Sequence, residues 1–343
     1  MKALVLTAYN HLEMQDVPEP GLGPRDVLVR VKACGICGSD VHGMDGSTGR
    51  RRPPIIMGHE AAGIVEQTGP EVRDYTAGDR VTFDSTIYRP DSYFSRRGLI
   101  NLCDDRRVLG VSCEDYRQHG AFAEYVAVPD HILYRLPASL TFEQAAMIEP
   151  VAIALHARHL TPIESGDTAL VYGAGLIGLM MIQVLRQTPV ARIIAVDVDD
   201  DRLMVARELG ADDAFNASAT DVPATVRSLT DGRGADEVLE CVGADATVRG
   251  AILSARKGGT VTLVGNLAPE VSTPLQAVVT RQIRVQGSCA SSGEYPEALD
   301  LVASGKVNVD RFISAAVPLD QGPEWFDRLY KRTPGVMKVL LKP

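Results

Sequence analysis

A thiol, an imidazole and a carboxylate fall within one short stretch of this 343-residue chain. The stretch opens with Cys34-Gly35-Ile36-Cys37-Gly38-Ser39-Asp40-Val41-His42 and closes with Met57-Gly58-His59-Glu60. Zinc accepts a soft, a borderline and a hard donor alike, and a site with three protein ligands leaves a position for water or substrate. The residues between Cys37 and His59 follow no zinc-finger spacing. Taken alone, the segment is equally compatible with a buried cysteine and a surface His-Glu pair.

A second stretch, Val171-Tyr172-Gly173-Ala174-Gly175-Leu176-Ile177-Gly178, carries G-x-G-x-x-G between a predicted strand and a predicted helix. In that context Gly173 can make the tight turn, Gly175 lets the backbone approach a pyrophosphate, and Gly178 allows close packing of helix on strand. The helix N-terminus then favours phosphate charge. Asp197 ends the next predicted strand. A carboxylate there accepts from both hydroxyls of an adenosine ribose and repels a 2′-phosphate, which predicts NAD over NADP. Arg202, set to flank the adenine or ribose, is the residue that leaves NADP open.

The elements that must position these residues change character along the chain. Residues 1 to 149 read as short strands between turns. Leu28 to Ala33 alternates as a half-buried strand, Ala61 to Val65 follows Glu60 directly, and Phe122 to Val128 runs to Pro129. Together they predict a β-rich lobe shaped as a partly open barrel. From Thr141, a plausible N-cap, a helical period continues past Pro150 to about His159. Strands at Thr168–Tyr172, Ile193–Asp197, Val238–Cys241, Val261–Val264 and Ile283–Val285 then alternate with helices, the pattern of a parallel, doubly wound sheet. The tail from Glu294 returns to a helix, a strand and a closing Lys338-Val339-Leu340-Leu341 that is expected to pack on the first lobe.

Composition narrows the function classes. A formal charge of -9 opposes non-specific nucleic-acid binding, which needs a basic surface. The cluster Arg50-Arg51-Arg52 reads most simply as solvated loop charge, although one of the three could face an anionic ligand. Six cysteines are too few for a disulfide scaffold in a chain of this length. The N-terminus reads as a strand rather than a signal peptide, and the longest apolar run, Ala169 to Ile182, is broken by three glycines. A cytoplasmic protein with reduced thiols and no membrane partner is expected.

At this point the chain resembles the zinc-dependent medium-chain alcohol dehydrogenases, and within them the sorbitol (polyol) dehydrogenase branch. The resemblance rests on Gly35 to His42, on Gly58-His59-Glu60, on Ile148-Glu149-Pro150, and on Gly173 to Gly178 followed by Asp197. It implies an α/β chain with a GroES-like β-rich catalytic domain over 1–149. A Rossmann doubly wound parallel-sheet domain would occupy 150–287, and residues 288–343 would return to the catalytic domain. Carried over by motif, Cys37, His59 and Glu60 resemble the catalytic zinc ligands, and Glu149 a carboxylate that holds the metal directly or through its water. Ser39 and His42 resemble the groups that pass the substrate proton to solvent, with Asp40 beside them. Gly173, Gly175, Ile177, Gly178, Asp197, Arg202, Val264, Gly265, Ser288 and Cys289 resemble cofactor contacts. The implied reaction is hydride transfer from a secondary alcohol of a polyol or sugar derivative to NAD. An L-threonine- or butanediol-type dehydrogenase and a non-catalytic NAD-binding protein of the same fold remain as alternatives. A homodimer or homotetramer is implied as well.

Two departures bear on that expectation. Many members hold a structural zinc with cysteines spaced C-x2-C-x2-C-x7-C, and the matching positions here are Arg89, Ser92, Ser95 and Cys103. One cysteine of four cannot close a thiolate site, so a single zinc per chain is expected, with Cys103 and Cys113 as free thiols. Sorbitol dehydrogenases also carry an aromatic residue soon after the motif's histidine and an Arg-Tyr pair after the last Rossmann strand. Here Gly43-Met44 and Ala290-Ser291 stand in those places.

Overall fold

The computed structural model describes residues 1–113 and 115–343, which divide into two compact units, Met1–Glu149 with Ser291–Pro343, and Pro150–Ala290. The first unit opens with β1 (Lys2–Ala8), β2 (His11–Asp16), β3 (Asp26–Gly35), α1 (Gly38–Met44), β4 (Ile55–Ile56), β5 (Glu60–Thr68) and β6 (Arg80–Phe83). Four two-residue strands follow: β7 (Thr86–Ile87), β8 (Arg107–Val108), β9 (Val111–Ser112) and β10 (Arg117–Gln118). Then come β11 (Tyr125–Pro129), β12 (Leu133–Arg135) and α2 (Phe142–Ala146), and α3 (Ile148–His159) carries the chain into the second unit.

The second unit alternates β13 (Thr168–Tyr172), α4 (Leu176–Leu185), β14 (Arg192–Asp197), α5 (Asp200–Glu208), β15 (Asp213–Asn216) and α6 (Val222–Leu229). It continues with β16 (Ala235–Glu240), α7 (Asp245–Ser254), β17 (Ala255–Leu263), α8 (Leu275–Thr280) and β18 (Arg284–Gly287). The chain returns to the first unit through α9 (Tyr295–Ala303), β19 (Ile313–Pro318), α10 (Gly322–Tyr330) and β20 (Lys338–Lys342). Among the described residues no helix is long and apolar enough to cross a membrane.

The main sheet of the first unit runs β12-β6-β5-β3-β20-β19, with β11 also paired to β3. Its central strand β3 buries Val27, Val29, Val31 and Ala33, while Arg30 between them is exposed. That alternation sets which face meets the core. At the far end of β3, Gly35 lies opposite Glu60 of β5 on one side and Leu340 of β20 on the other. The register therefore brings the two halves of the Cys34–Glu60 stretch, and the C-terminal strand, to one end of one sheet.

The second unit holds a six-stranded parallel sheet in the order β15-β14-β13-β16-β17-β18. Runs such as Ala169-Leu170-Val171, fully buried, are the composition of strands covered on both faces. The order places β13 and β14, which carry the glycine loop and Asp197 at their ends, side by side.

Two elements differ from what the sequence suggests. The expected strand from Phe122 begins only at Tyr125, because the residues before it bond to β1 instead: Leu4 N donates to Phe122 O at 2.8 Å and Glu124 N to Lys2 O at 3.0 Å. The helical stretch from Thr141 is two helices that break at Met147, with Thr141 capping the first through Gln144. Pro150 has no N–H to carry a helical bond back across that break.

In the lobe after β7, Arg89, Ser92, Ser95 and Cys103 come together through hydrogen bonds. Arg89 N donates to Cys103 Sγ at 3.4 Å, Ser92 Oγ to Ser95 Oγ at 2.8 Å, and Arg89 Nη1 pairs with Asp105 Oδ2 at 2.8 Å. Burial pushes the Cys103 thiol up, but donors from Ser92, Ser95 and the backbone of Arg89 and Asp105 bring it below its ordinary value. The four positions that match the structural-zinc spacing are thus neighbours in space, with a thiol at one of them. Replacing Arg89, Ser92 and Ser95 together by cysteine should raise bound zinc by one equivalent per chain in elemental analysis. No gain in zinc would contradict this account of the lobe.

Candidate metal centre and dinucleotide loop

The end of β3, helix α1 and the start of β5 assemble the first site. Cys37 is the N-cap of α1, and its backbone N–H donates to Asp40 Oδ2 at 3.2 Å. His59 and Glu60 sit where the chain enters β5, and both are buried. The Cys37 sulfur, one His59 nitrogen and one Glu60 oxygen all lie within 4.8 Å of one another. His59 Nδ1 faces Asp40 Oδ1 at 3.5 Å, which leaves Nε2 as the nitrogen for a metal. A ligand histidine commonly directs its second ring nitrogen at such a carboxylate. A sulfur, an imidazole nitrogen and a carboxylate oxygen at this separation fit a zinc ion.

Counter-charges surround the cluster. Lys338 Nζ, reaching in from β20, donates to Glu60 Oε2 at 2.6 Å and to the Ile36 carbonyl at 3.1 Å. Arg51 Nη2 donates to Asp40 Oδ1 at 3.0 Å and to Ser39 Oγ at 3.2 Å. Burial opposes charge on His59, yet Asp40 and Cys37 hold its pKa well above the ordinary histidine value. Burial likewise opposes charge on Lys338, and the Glu60 carboxylate outweighs it. Two glycines make the room. A side chain on Gly35 would collide with Glu60 Oε2, and one on Gly43 with Arg51 Cγ.

Of the remaining expected residues in this unit, Ser39 and His42 lie one turn apart on α1, Ser39 exposed and His42 half-buried. Glu149, in the first turn of α3, is not among the clustered donor atoms. It is buried, with Ser85 Oγ 3.5 Å from its Oε1. Burial raises its pKa, and the neighbouring Glu60 and Asp84 add to the rise while His59 opposes it. Two histidines without evident partners in the sequence have them here: His119 Nδ1 accepts from Ile56 N, and His131 Nε2 meets the Tyr88 carbonyl.

In the second unit, Gly173 has φ +100°, the left-handed region that favours glycine. Gly175 is the N-cap of α4 and a Cβ there would meet nothing within 4 Å, while one on Gly178 would strike the Gly173 carbonyl. The loop thus keeps open space where a phosphate would approach and none where helix and strand pack. Ile177 follows, half-buried, in the first turn of α4. Asp197 Oδ2 accepts from Ala174 N at 2.6 Å and Oδ1 from Val198 N and Asp199 N, so the carboxylate is tethered to the glycine loop. Arg202 lies 3.6 Å from Asp199 and 4.0 Å from Asp197, its charge turned toward those carboxylates. Val264 N and Gly265 N both donate to the Glu240 carbonyl. Ser288 N donates to Leu263 O, its Oγ is buried with no partner among the described residues, and Cys289 is exposed. These features fit a dinucleotide.

Sequence reasoning missed several buried charges, four of which bear on the two sites. Arg51 was expected in solvent and is 3% exposed. The collision of any side chain at position 43 with it is the local signal that separates it from Arg50 and Arg52. Lys338, 1% exposed, is 278 residues from Glu60, and nothing local marks it. Glu240 is fully buried and accepts from Val242 N and Gly243 N at 2.9 Å, folding the loop after β16. Asp84, 1% exposed, accepts from Thr86 N at 2.8 Å and Ser291 Oγ at 3.1 Å.

Known proteins bear on both sites. Residues 23–138 match the family model described as "Alcohol dehydrogenase GroES-like domain", and residues 177–304 the one described as "Zinc-binding dehydrogenase". The chain is 35% identical over 310 residues to an L-idonate 5-dehydrogenase of Vitis vinifera, covering 88% of this chain and 84% of that one. It is 35% identical over 318 residues to a sorbitol dehydrogenase of Arabidopsis thaliana, covering 90% and 86%. Its fold matches the crystal structure of 2R,3R-butanediol dehydrogenase from Bacillus subtilis with a TM-score of 0.88 at 31% identity, covering 100% and 99%.

Asp84 offers a test of the electrostatics. Burial raises its pKa from 3.8 to about 6, more than its hydrogen bonds to Thr86 and Ser291 lower it. A folded value above the unfolded one means that folding takes up a proton in this range. The associated stability is complete below about pH 4 and is lost as pH rises through about 6, up to about 3 kcal/mol in all. Asp84→Asn should therefore gain stability relative to the parent between pH 5 and pH 7.5, read from denaturant midpoints of chelator-treated protein. An offset of equal size at both pH values would sink this reading.

Proposed function

The chain belongs to the zinc-dependent medium-chain alcohol dehydrogenases, and on that premise we propose that it oxidises a secondary alcohol of a polyol or sugar derivative to the ketone, with NAD as hydride acceptor. The observation that carries this reading is the meeting of Cys37, His59 and Glu60 within 4.8 Å, beside a helix that bears Ser39 and His42. Cys37, His59 and Glu60 are the residues that would hold one zinc per chain, with Glu149 in support. When bound, the ion supplies Lewis-acid polarisation of the alcohol oxygen, and the dinucleotide accepts the carbinol hydride.

The chain's own residues then bind, orient and move a proton. Ser39 Oγ accepts the hydroxyl proton, and His42, one turn along the same helix, passes it toward solvent. Asp40 holds the His59 ring by its Nδ1 side, and Lys338 fixes Glu60 by one oxygen so that the other is free. Asp197, tied to Ala174, presents its carboxylate to a ribose diol, where it would repel a 2′-phosphate, while the charge of Arg202 faces Asp197 and Asp199. This favours NAD.

A second reading, a butanediol- or L-threonine-type dehydrogenase, is favoured by Ala290-Ser291, where Ser291 Oγ is committed to Asp84. A non-catalytic dinucleotide-binding protein has no use for Ser39, His42 and the metal cluster together. The deciding experiment is a panel of polyols, vicinal diols and L-threonine, assayed with NAD and NADP by the absorbance of the reduced nicotinamide, together with zinc per chain. A polyol or diol should reduce NAD in preference to NADP. Cys37→Ser should lose the zinc and about a hundredfold or more of turnover. If no polyol or diol is oxidised while another secondary alcohol is, the substrate class is wrong.

We further propose that the protein is a homodimer joined through β18. This strand is the outer edge of the parallel sheet, its Val285 is 42% exposed, and Leu275 and Val279 of α8 are each 68% exposed beside it. An edge strand paired on one side only among the described residues invites a second strand. Sedimentation velocity should give twice the 36.9 kDa chain mass, and Val285→Lys should shift it toward the monomer. A parent protein that runs as a monomer would refute the interface.

A further inference from the structure

The proton path through Ser39 and His42 leaves one buried cation unused. Arg51 is the middle residue of a basic triplet whose other members are exposed. Its stem passes α1 at Gly43, the only kind of residue that leaves space for it there, and its head emerges beneath Ser39 and Asp40. The same nitrogen, Nη2, serves both, with one hydrogen for the Asp40 carboxylate at 3.0 Å and one for the Ser39 hydroxyl at 3.2 Å. Nη1 is 3.5 Å from the Arg50 carbonyl, and Nε is buried with no partner among the described residues.

We propose that Arg51 is a positioning residue for the proton relay: its guanidinium fixes Ser39 Oγ so that the hydroxyl has one lone pair for the substrate proton and directs its own hydrogen onward. This rests on the dehydrogenase reading. A serine hydroxyl has one hydrogen and two lone pairs. Arg51 fills one lone pair from the interior, and Ser39 is exposed on its other side. The alcohol O–H bond breaks as a new O–H bond forms on Ser39, while the original Ser39 hydrogen leaves toward His42. Ser39 ends as it began, and Arg51 stays protonated throughout, since a guanidinium does not give up its proton in this range.

A purely structural Arg51–Asp40 pair explains less. Such a pair has no need of the Ser39 hydroxyl, and it leaves Nε unsatisfied at a cost that a buried apolar residue would avoid. A broken local rule of this kind is expected where a side chain is held for function.

The test is a double-mutant cycle of Arg51→Met and Ser39→Ala, with zinc per chain measured for every protein and a crystal structure of Arg51→Met. Arg51→Met should keep its zinc, lose about 10- to 100-fold in kcat, and show a larger solvent deuterium isotope effect as proton transfer becomes limiting. In the Ser39→Ala background the same change should cost little more, because its target is gone. The crystal structure should show the Ser39 side chain rotated or in several rotamers. Arg51→Lys, which keeps the charge if Met is not tolerated, should fall between parent and Met. Multiplicative losses in the cycle, or an unmoved Ser39 with an unchanged isotope effect, would overturn the proposal. Loss of zinc in Arg51→Met would do so too, by placing the effect on Asp40 and His59. A parent protein that oxidises no alcohol would instead strike at the dehydrogenase reading, and the Ser39 rotamer would still report on Arg51.

Discussion

Gathering a thiol, an imidazole and carboxylates where water is nearly excluded is unfavourable unless opposite charge is built in beside them. Two buried cations, Lys338 on Glu60 and Arg51 on Asp40, meet that requirement here. Breaking a buried pair by removing one partner costs about 3–5 kcal/mol in general, because the other charge is left stranded. The arrangement of the first unit follows from the need to bring both cations in. Lys338 arrives on the last strand of the chain, so β20 must insert beside β3. The register that sets Leu340 opposite Gly35 puts it there.

Space is the second condition. Glu60 can turn inward because Gly35, its partner across the β3–β5 ladder, has no side chain to meet its carboxylate. Arg51 can pass under α1 because Gly43 has none either. With both glycines filled, the two charged side chains would compete with the added carbon for the same volume. The meeting of Cys37, His59 and Glu60 therefore depends on residues that carry no functional group. Catalytic geometry of this kind is held by its surroundings as much as by its ligands.

The parts of the molecule most legible in the sequence are those whose chemistry is local. The parallel sheet announces itself through short apolar runs separated by helices, and Gly173, Gly175 and Gly178 combine spacing with context. Asp197 is legible because a strand's length fixes how far it lies from the glycine turn. The proximity of Cys37 to His59 and Glu60 is suggested by composition, but only the β3–β5 register accounts for it. What could not be read is long-range or depends on direction. Lys338 is an ordinary lysine at the end of an apolar strand until β20 is placed. Arg50, Arg51 and Arg52 are one letter repeated, and only the backbone decides which of them points inward. Phe122 to Glu124 look like the start of a strand and hydrogen-bond to a different one.

The lobe between β7 and β9 carries the same point one step further. Where the structural-zinc spacing would put four cysteines, this chain has a serine pair, a backbone N–H to sulfur contact and the Arg89–Asp105 ion pair. Each is weak by comparison, and the ion pair is largely exposed, so it adds little by itself. The thiol that remains, Cys103, is buried and accepts from its neighbours, which makes it the hub of the cluster rather than a leftover. Hydrogen bonds can thus hold together four positions that carry one thiol among them. At the other cluster the charge of Asp40 and Glu60 has been matched by fixed cations. There the chain has kept the donors whose chemistry hydrogen bonds cannot replace.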